Sequence, residues 1–261
     1  MLKLLLFILC IYGAFALYIF LFADGMIFLP PKASYKHQPA EDSSAINILT
    51  GDANVIAARY LHNPKSDYTI LYSHGNASDI GTVSQILQAL YDAGFSVLTY
   101  DYPGYGYSSG KPNESGAYNA AEVAYSYLTD SLDVPPEKII LHGQSLGGGI
   151  STYLAAKKPV AGLILESTFA TAFQVKVPFR ILPFEKFPSI RRIRNIDCPL
   201  LLIHGTEDRT IPFSHSEELL AAAVEPKRLV AIAQADHNNV LWTDQETYLK
   251  SIREFANSLQ Q

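Results

Sequence analysis

The sequence predicts an α/β fold in which an eight-stranded, mostly parallel sheet has helices on both faces. Short apolar runs typical of strands alternate along the chain with longer segments typical of helices. One predicted strand leads directly into a glycine-rich turn and a helix of small residues, at Gly143-Gln-Ser-Leu-Gly147. The 261 residues are 48% hydrophobic and 17% charged, which suffices for one full core without a disordered tract.

The first element is a long apolar run. Leu4 to Ala23 are 20 consecutive uncharged, mostly apolar residues, and a helix of that length rises about 30 Å, the thickness of a bilayer core. We predict that residues 1–24 are an N-terminal membrane anchor and that residues 25–261 are one α/β domain. A cleaved signal peptide is the competing interpretation, because Ala14-Phe-Ala16 resembles a cleavage site. The apolar run is longer than a typical signal core, which favours the anchor.

The strands and helices follow in alternation. Ala45 to Leu49 and Asn54 to Leu61, joined through Gly51-Asp52, predict a strand hairpin. The other predicted strands are Thr69 to Ser73, Phe95 to Tyr100, Lys138 to Leu141, Gly162 to Glu166, Leu200 to His204 and Arg228 to Ala233. The predicted helices between them include Thr82 to Ala93, about Gly116 to Thr129, and Gly147 to Ala156. In the first of these helices, apolar residues recur at the spacing of a face that packs against a sheet.

Gly143-Gln-Ser-Leu-Gly147 has the G-x-S-x-G pattern of a nucleophile elbow, in which a strand turns sharply into a helix and exposes a serine. The apolar run before it and the small residues after it supply the strand and helix that the motif requires. We expect glycine on both sides because a Cβ next to so sharp a turn would clash. Ser145 is therefore the predicted nucleophile. An ordinary glycine-rich loop is the alternative interpretation.

A serine nucleophile in this setting takes its base from later in the chain. His215 follows a proline and precedes leucines, which predicts a solvated position in the first turn of a surface helix. His237 ends a strand-like run and opens a polar loop, where a mobile base belongs. We therefore predict His237 as the general base. A loop histidine without a catalytic task is the alternative.

The acid that orients the base should also follow a strand. After Leu200 to His204 come a glycine turn and two carboxylates, Glu207 and Asp208. Such an acid holds the imidazole in one tautomer and stabilises the imidazolium as it forms. We predict Asp208 for this role, with Glu207 and then Glu166 as the alternatives. The alternative is that Asp208 only caps the N-terminus of a helix and has no catalytic role.

An acyl-transfer site also needs donors for the developing oxyanion. One predicted donor is the backbone N–H of Leu146, next to the nucleophile. The second should come from the loop after Thr69 to Ser73, where His74-Gly75 turns the chain so that the N–H of Asn76 or Ala77 points inward. Loss of one such donor costs about 3 to 4 kcal/mol of transition-state stabilisation. We expect His74 to brace this turn rather than to take part in chemistry.

Together these motifs resemble the α/β-hydrolase-domain membrane serine hydrolases, a branch that includes protein depalmitoylases and serine-aminopeptidase-like esterases. The resemblance covers about residues 26 to 258 and rests on five segments: His74-Gly-Asn-Ala-Ser-Asp, Asp101-Tyr-Pro-Gly-Tyr-Gly-Tyr-Ser-Ser-Gly, Gly143-Gln-Ser-Leu-Gly-Gly, His204-Gly-Thr-Glu-Asp and Asp236-His-Asn. It implies an α/β-hydrolase fold with nucleophile Ser145, acid Asp208, base His237 and an oxyanion loop at Asn76. The substrates of this family are diverse, so the resemblance implies the machinery and not the acyl group.

The orientation of the anchor is not determined by its flanking charges. Lys3 and the α-amino group lie before the apolar run, while Lys32 and Lys36 follow it, and the positive-inside rule counts cations on both sides. The family resemblance favours a short cytoplasmic N-terminus and an extracytoplasmic catalytic domain. A signal peptide with secretion is the alternative.

Several classes of partner are not expected. The formal net charge of −5 provides no basic excess for nucleic acid. The loop from Gly104 to Gly110 is followed by Lys111-Pro112, so no helix N-terminus is available for a pyrophosphate and no P-loop is formed. No histidine and cysteine cluster has metal-ligand spacing. We predict a site that uses neither a metal nor a cofactor.

A long connection between strands is the predicted cap. Residues 169–197 are rich in phenylalanine and hold Pro178, Pro183 and Pro188, with six Lys or Arg against two acids. An insertion of this length in a compact domain is typical of a lid. We expect it to overhang Ser145 and to face an anionic lipid surface. A surface helix with a connector and incidental charge is the alternative.

The sequence as a whole predicts a membrane-anchored serine hydrolase of carboxylic esters or thioesters, acting through an acyl-enzyme on Ser145. An aspartate at the elbow would instead have predicted dehalogenase or epoxide chemistry. Two alternatives stay open: an aminopeptidase-like amide hydrolase, and a catalytically silent hydrolase fold that serves as a membrane-tethered binding module.

Overall fold

The computed structural model describes residues 1–51, 54–177 and 179–260. The strands are β1 (Ala45–Leu49), β2 (Val55–Leu61), β3 (Thr69–Ser73), β4 (Ser96–Tyr100), β5 (Ile139–Gln144), β6 (Gly162–Glu166), β7 (Leu200–Gly205) and β8 (Lys227–Ile232). The α-helices are α1 (Leu2–Ile27), α2 (Ser84–Asp92), α3 (Glu114–Ser126), α4 (Leu146–Ala155), α5 (Ser189–Arg192), α6 (Ser214–Ala222), α7 (Val240–Thr243) and α8 (Gln245–Ser258).

Within the described residues, the eight strands form a single sheet in the order β1-β2-β4-β3-β5-β6-β7-β8. The pairings of β2 with β1 and with β4 are antiparallel, and the five remaining pairings are parallel. The chain reverses direction across the sheet at β3, which lies between β4 and β5. Such a switch point opens a crevice at the carboxyl ends of the strands. The predicted eight-stranded, mostly parallel sheet is confirmed.

The central strands are buried on both faces, which is why they are apolar runs without alternation. On one face, Leu71 and Leu141 point into a core that includes residues of α3, α4 and α6. On the other face, Ile70 and Ile140 point into a second core that includes residues of α2 and α8. Helices thus cover both faces, as predicted.

Two helix boundaries differ from the prediction by a few residues. The helix predicted from about Gly116 begins earlier, at Glu114, because the side chain of Asn113 caps it by accepting from the N–H of Gly116 at 2.8 Å. It ends in a π-helical turn, Tyr127–Ser131. The helix predicted over Thr82 to Ala93 is confirmed in its central part, Ser84–Asp92.

The predicted hairpin is present as the antiparallel pair of β1 and β2, in which Ala45 lies opposite Arg59 and Leu49 lies opposite Val55. Gly51 is in the turn that follows β1. Asp52, the second residue of the predicted turn, lies outside the described residues. The hairpin forms the edge of the sheet farthest from β8.

The N-terminal helix α1 is continuous through the predicted domain boundary at residue 24. It has a mean hydropathy of 2.7 over its most apolar window and, among the described residues, is the one helix long and apolar enough to cross a membrane. Its last turns contact the α/β domain, where Ala23 and the following Phe28 are buried. The anchor and domain ranges stay a prediction, because no break in the helix separates them.

The predicted cap, apart from Pro178, which lies outside the described residues, has little regular structure. It contains a 3-10 turn at Phe173–Val175 and the short helix α5, which leads into a second 3-10 turn. Phe187 fixes the segment to the domain because its ring is fully buried and packs edge-on against Tyr118 and Phe169. Phe187 is therefore one of the residues that hold this loop-like cap to the domain.

Candidate active site

The candidate nucleophile lies on the turn between β5 and α4. Ser145 has φ +53° and ψ −116°, a strained conformation for a residue with a side chain. A Cβ on Gly143 would overlap the carbonyl group of Gly147, and a Cβ on Gly147 would overlap the carbonyl oxygen of Ser73. The unusual dihedral angles belong to Ser145 itself, and the two glycines are required for space. The strand, sharp turn and helix of the predicted elbow are all present.

The residues predicted as nucleophile, base and acid form one hydrogen-bonded line. Ser145 Oγ lies 3.0 Å from Nε2 of His237, and Nδ1 of the same imidazole lies 2.7 Å from Oδ2 of Asp208. An ionised carboxylate only accepts hydrogen bonds, so Nδ1 carries the proton and Nε2 is free to accept from the serine hydroxyl. This is the tautomer that a general base needs. His237 and Asp208 are both buried.

The carboxylate of Asp208 is held by four donors. Oδ2 accepts from His237 and also from Nε2 of His204 at 3.1 Å, while Oδ1 accepts from the N–H groups of Thr210 and Ile211 at 2.8 and 2.7 Å. Burial raises the pKa of Asp208, but the hydrogen bonds from His204, His237 and the Ile211 N–H outweigh it and hold the pKa below its ordinary value. The carboxylate is therefore ionised at neutral pH.

His204 is a contributor that the sequence analysis left within a buried strand. Its Nε2 lies near two acceptors, Oδ2 of Asp208 and the carbonyl oxygen of Ile211 at 3.0 Å, so that nitrogen carries the proton. Its Nδ1 then accepts from the hydroxyl of Ser216 at 2.6 Å. The signal in the sequence was the spacing His204-Gly-Thr-Glu-Asp208, four residues across the glycine turn that ends β7.

The loop that carries His237 is fixed by its own side chains. Oδ1 of Asp236 accepts from the N–H of His237 at 2.8 Å and from the N–H of Arg209 at 3.0 Å. Oδ1 of Asn239 accepts from the N–H of Asp236 at 2.7 Å. These bonds tie the loop after β8 to the loop after β7, so His237 and Asp208 are positioned together.

The backbone amides predicted as oxyanion donors line the same cavity as Ser145. Among the described residues, the N–H groups of Asn76 and Leu146 have no hydrogen-bond acceptor, whereas the N–H of Ala77 donates to Oδ1 of Asn76 at 3.0 Å. The Asn76 side chain is held in turn by the hydroxyl of Tyr105 at 2.7 Å. Asn76 therefore has the freer amide of the two candidates on this loop.

His74 lies beneath this loop and is fully buried. Its Nδ1 lies 2.8 Å from the carbonyl oxygen of Gly75, and its own carbonyl oxygen accepts from the hydroxyl of Tyr102. The ring also packs against Tyr102, with 4.2 Å between the ring centroids. His74 braces the turn, as predicted.

The cavity over Ser145 has a volume of about 380 Å³ and is bounded by three parts of the chain. Asn76 and Ala77, the predicted oxyanion loop, line it together with Ser145 and His237. Phe169, Ala172 and Val175 of the cap line it, so the cap does overhang the serine. Met26, Ile27 and Leu29, at the end of α1 and just beyond it, also line the cavity. No residue of the N-terminal helix is among the site residues that the sequence predicts.

Comparisons with known proteins agree with this architecture. A family model described as alpha/beta hydrolase fold matches residues 68–184. Alpha/beta hydrolase domain-containing protein aho-3 of Caenorhabditis elegans is 35% identical over 245 residues, which are 89% of this chain and 71% of that protein. Alpha/beta hydrolase domain-containing protein 17B of Homo sapiens is 37% identical over 211 residues, 79% of this chain and 73% of that protein.

This chain belongs to the alpha/beta hydrolase domain-containing proteins. The predicted resemblance is confirmed at this level, and family membership supports hydrolase activity. Among solved structures, the esterase Pf2001 of Pyrococcus furiosus superposes on this alpha/beta hydrolase with a TM-score of 0.74, covering 88% of this chain and 98% of that one. The two are 20% identical, so that similarity shows the fold alone.

The structure separates the predicted acid of this alpha/beta hydrolase from its two alternatives. Glu207 is exposed and Asp208 is buried against the imidazole. Glu166 is buried below the elbow, where its carboxylate accepts from Tyr248 at 2.6 Å and lies 3.1 Å from Nε2 of His142. Burial raises the pKa of Glu166, but these contacts, with His142 first, bring it below its ordinary value. The carboxylate of Glu166 thus contacts Tyr248 and His142 inside the domain, whereas the imidazole of His237 is hydrogen-bonded to Asp208.

One histidine prediction is wrong. His215 was expected on a solvated helix surface, but it is buried and its Nδ1 accepts from the N–H of Ala170 at 3.2 Å. Burial lowers the pKa of His215. The pattern identified the helix correctly, yet it could not show that the cap folds back over the first turn of α6 and covers this side chain.

The basic part of the cap also differs from the expected membrane-facing surface at Arg192. Arg192 lies against the stacked rings of Tyr118 and Tyr153, with 4.8 and 5.0 Å from its guanidinium carbon to the two ring centroids. It donates to the hydroxyl of Tyr118 at 2.6 Å. Arg191 and Arg194 are exposed. Arg192 therefore fixes the cap to α3 and α4, because cation–π and hydrogen-bond partners are available there.

Proposed function

We propose that this protein is a membrane-anchored serine hydrolase that cleaves carboxylic esters or thioesters through an acyl-enzyme on Ser145. The observation that carries the proposal is the hydrogen-bonded line from Ser145 Oγ through His237 to Asp208. Serine hydroxyls are weak nucleophiles unless a correctly oriented base accepts their proton. In acyl transfer, the carboxylate orients the imidazole, and the imidazole activates the exposed serine.

In the first half-reaction, Ser145 Oγ forms a bond to the substrate carbonyl carbon while its proton passes to Nε2 of His237. Asp208 stabilises the resulting imidazolium. The tetrahedral intermediate then breaks the bond to the alcohol or thiol, which leaves with the proton from His237. In the second half-reaction, His237 takes a proton from water, and the hydroxide attacks the acyl-enzyme. The acid is released and Ser145 regains its proton.

The oxyanion of both tetrahedral intermediates is proposed to accept from the N–H groups of Leu146 and Asn76, with Ala77 as the alternative on the same loop. Donors that are fixed before the reaction stabilise the developing charge without reorganisation. The Tyr105 hydroxyl and the backbone around Ile27 hold the Asn76 side chain, and this fixes the loop. Side chains, amides and water account for every bond and proton, so the proposal includes no metal or cofactor.

We propose further that α1 anchors the domain in a membrane as a single span, with the catalytic domain on the extracytoplasmic side. Its length and apolar surface support the anchor. Protease protection of the domain in sealed inverted and right-side-out vesicles tests the side. A mature protein that begins after Ala16 and is released to the medium would instead support the secreted alternative.

Labelling with a fluorophosphonate probe tests the catalytic proposal. We expect the probe to label the parent protein and the Ser43→Ala variant, whose serine is exposed and distant, but not Ser145→Ala. Turnover of matched ester, thioester and anilide substrates then separates the esterase or thioesterase from the amide hydrolase. If the folded parent is neither labelled nor active on any of the three, the binding-module alternative is correct and the proposal is wrong.

A further inference from the structure

A second cavity adjoins the one over Ser145. It has a volume of about 340 Å³ and lies between α1 and the cap. Its wall on the helix side includes Phe15, Ile19 and Ala23, and its wall on the cap side includes Phe173 and Leu182. Both cavities fall within the range of about 300 to 1,000 Å³ that is common for small ligands. Most residues that line the second one are apolar, and Gln174, Lys176, Arg180 and Glu185 also line it.

The two cavities share part of their walls. Met26, Ile27, Ala172 and Lys176 line both of them. Taken together, the two cavities border Ser145 at one end and α1 from Phe15 to Ile27 along their length, and we call this combined space the groove. It lies where one arm of a substrate bound at Ser145 would extend.

The helix presents one face to this groove. Ala16, Ile19, Ala23 and Ile27 are less exposed than their neighbours, and their spacing of three or four residues places them on one side of α1. Leu21 on the opposite side is 63% exposed. The face that contacts the cap is thus distinct from the face left for lipid.

The cap is attached to α1 at three heights. The hydroxyl of Tyr12 donates to the carbonyl oxygen of Ile181 at 2.8 Å. The ring of Phe20 packs edge-on against Phe184 at 5.5 Å, and Lys186 forms an ion pair with Asp24 at 2.9 Å. Tyr12 lies about 22 Å along the helix from Ile27. The groove therefore follows the helix from the domain surface into the part that has the length and composition of a membrane span.

Resting on the proposed function, we infer that α1 is a wall of the substrate site as well as an anchor, and that the groove holds the long straight acyl chain of an ester or thioester. An apolar chain gains free energy from each methylene that it buries against the mainly apolar lining of the groove. The open end lies beside Ile181, which is 44% exposed, and Phe179, which is 67% exposed. The chain can enter from a bilayer without crossing water.

A chain-length series tests the inference on the full-length protein in detergent micelles. We expect kcat/KM for p-nitrophenyl esters to rise about fourfold per added methylene until the groove is full. Ile19→Trp fills the groove, and we expect it to lower the ratio of kcat/KM for the decanoyl ester to that for the acetyl ester at least tenfold. Leu21→Trp is the matched control on the opposite face and should change the ratio less than twofold.

A second variant covers the case in which Ile19→Trp disturbs the packing of α1. Ile181→Glu places a charge at the exposed open end of the groove without adding bulk to the helix. It should lower the same ratio, because the carboxylate must be desolvated beside the chain. The inference is overturned if the parent shows no chain-length dependence, or if neither variant lowers the ratio while both cleave the acetyl ester. Absence of all ester cleavage and of probe labelling would contradict the proposed function instead.

Two sources of such a chain can be separated with phosphatidylcholine vesicles that contain the protein. Release of fatty acid from vesicles of phosphatidylcholine alone identifies the bilayer ester as the source. Release that requires a palmitoyl-thioester amphiphile in the same vesicles identifies an embedded thioester. Either outcome supports the acyl groove when Ile19→Trp slows it and Leu21→Trp does not; release from neither overturns it.

Discussion

The carboxyl edge of the sheet and the region between α1 and the cap are built in different ways. At the sheet edge, Ser145, Asp208 and His237 follow β5, β7 and β8, and each has a fixed hydrogen-bond partner. The regular structure of the described part of the cap is limited to short helical turns, and a hydrogen bond, a ring contact and an ion pair join it to α1. The comparison indicates that chemistry needs positions set by the sheet, whereas the choice of substrate can depend on a loosely built wall.

The largest effect is expected at the acid. Asp208→Asn should lower kcat about 10⁴-fold, because an amide that donates to Nδ1 of His237 favours the wrong tautomer. Steady-state kinetics on a p-nitrophenyl ester measures it. Glu207→Gln, the exposed neighbour, is the control and should stay within twofold. Equal losses in both variants would contradict the assignment of the acid.

A smaller effect, on stability rather than on catalysis, is expected at the elbow. Gly147→Ala should lower the free energy of unfolding by about 2 to 3 kcal/mol, because the added Cβ meets the backbone carbonyl of Ser73, which cannot move freely. Gly51→Ala has nothing within 4 Å and is the control. Urea unfolding measures both variants. Comparable midpoints for the parent and Gly147→Ala would show that the elbow is less crowded than described.

The carboxylate of Asp208 also predicts that the stability of the protein depends on pH. The folded pKa of Asp208 lies below the ordinary value of about 3.9, so the unfolded chain binds this proton first as the pH falls. Its contribution is complete above about pH 5 and is lost as the pH falls through the folded pKa. The stability difference between the parent and Asp208→Asn should therefore shrink on acidification, as measured by urea midpoints from pH 6 to pH 3. A constant difference would contradict the depressed pKa.

A moderate effect is expected at His204, which positions the acid without touching substrate. His204→Leu removes one donor to an ionised carboxylate and should lower kcat about tenfold with little change in KM. His204→Gln, whose amide can donate to the same oxygen, should regain most of the loss. A similar loss in both variants would indicate a packing role alone.

The smallest effect is expected in the cap region. Lys186→Met removes ion pairs with Asp24 and Glu114 at 2.9 and 3.3 Å, and should cost about 0.5 to 1 kcal/mol of stability. Burial lowers the pKa of Lys186, but the carboxylates of Asp24 and Glu114 together have the larger effect and raise the pKa above its ordinary value. The amine is therefore charged at neutral pH. A double-mutant cycle with Asp24→Asn isolates the contact. A coupling near zero would show that the ion pair between Lys186 and Asp24 does not help to hold the cap to α1.

Much of the fold could be predicted because its signals are local. Central strands buried on both faces are apolar runs, and the elbow needs glycine at fixed positions on either side of Ser145. The chain order of serine, acid and base then limited the site to residues after 145, which left few candidates. Helix ends were less accurate, since the cap at Asn113 depends on a single side-chain bond.

The sequence by itself determined the strand pattern, the elbow, the apolar helix and the candidate residues, because each depends on neighbours within a few positions along the chain. Only the tertiary structure decided that His204 supports Asp208, that His215 is covered by the cap, and that Arg192 packs on Tyr118. It also decided that the end of α1 lines the cavity over Ser145. These contacts join residues far apart in the chain, and their formation depends on how the sheet edge, the cap and the N-terminal helix pack together. No local pattern encodes that packing.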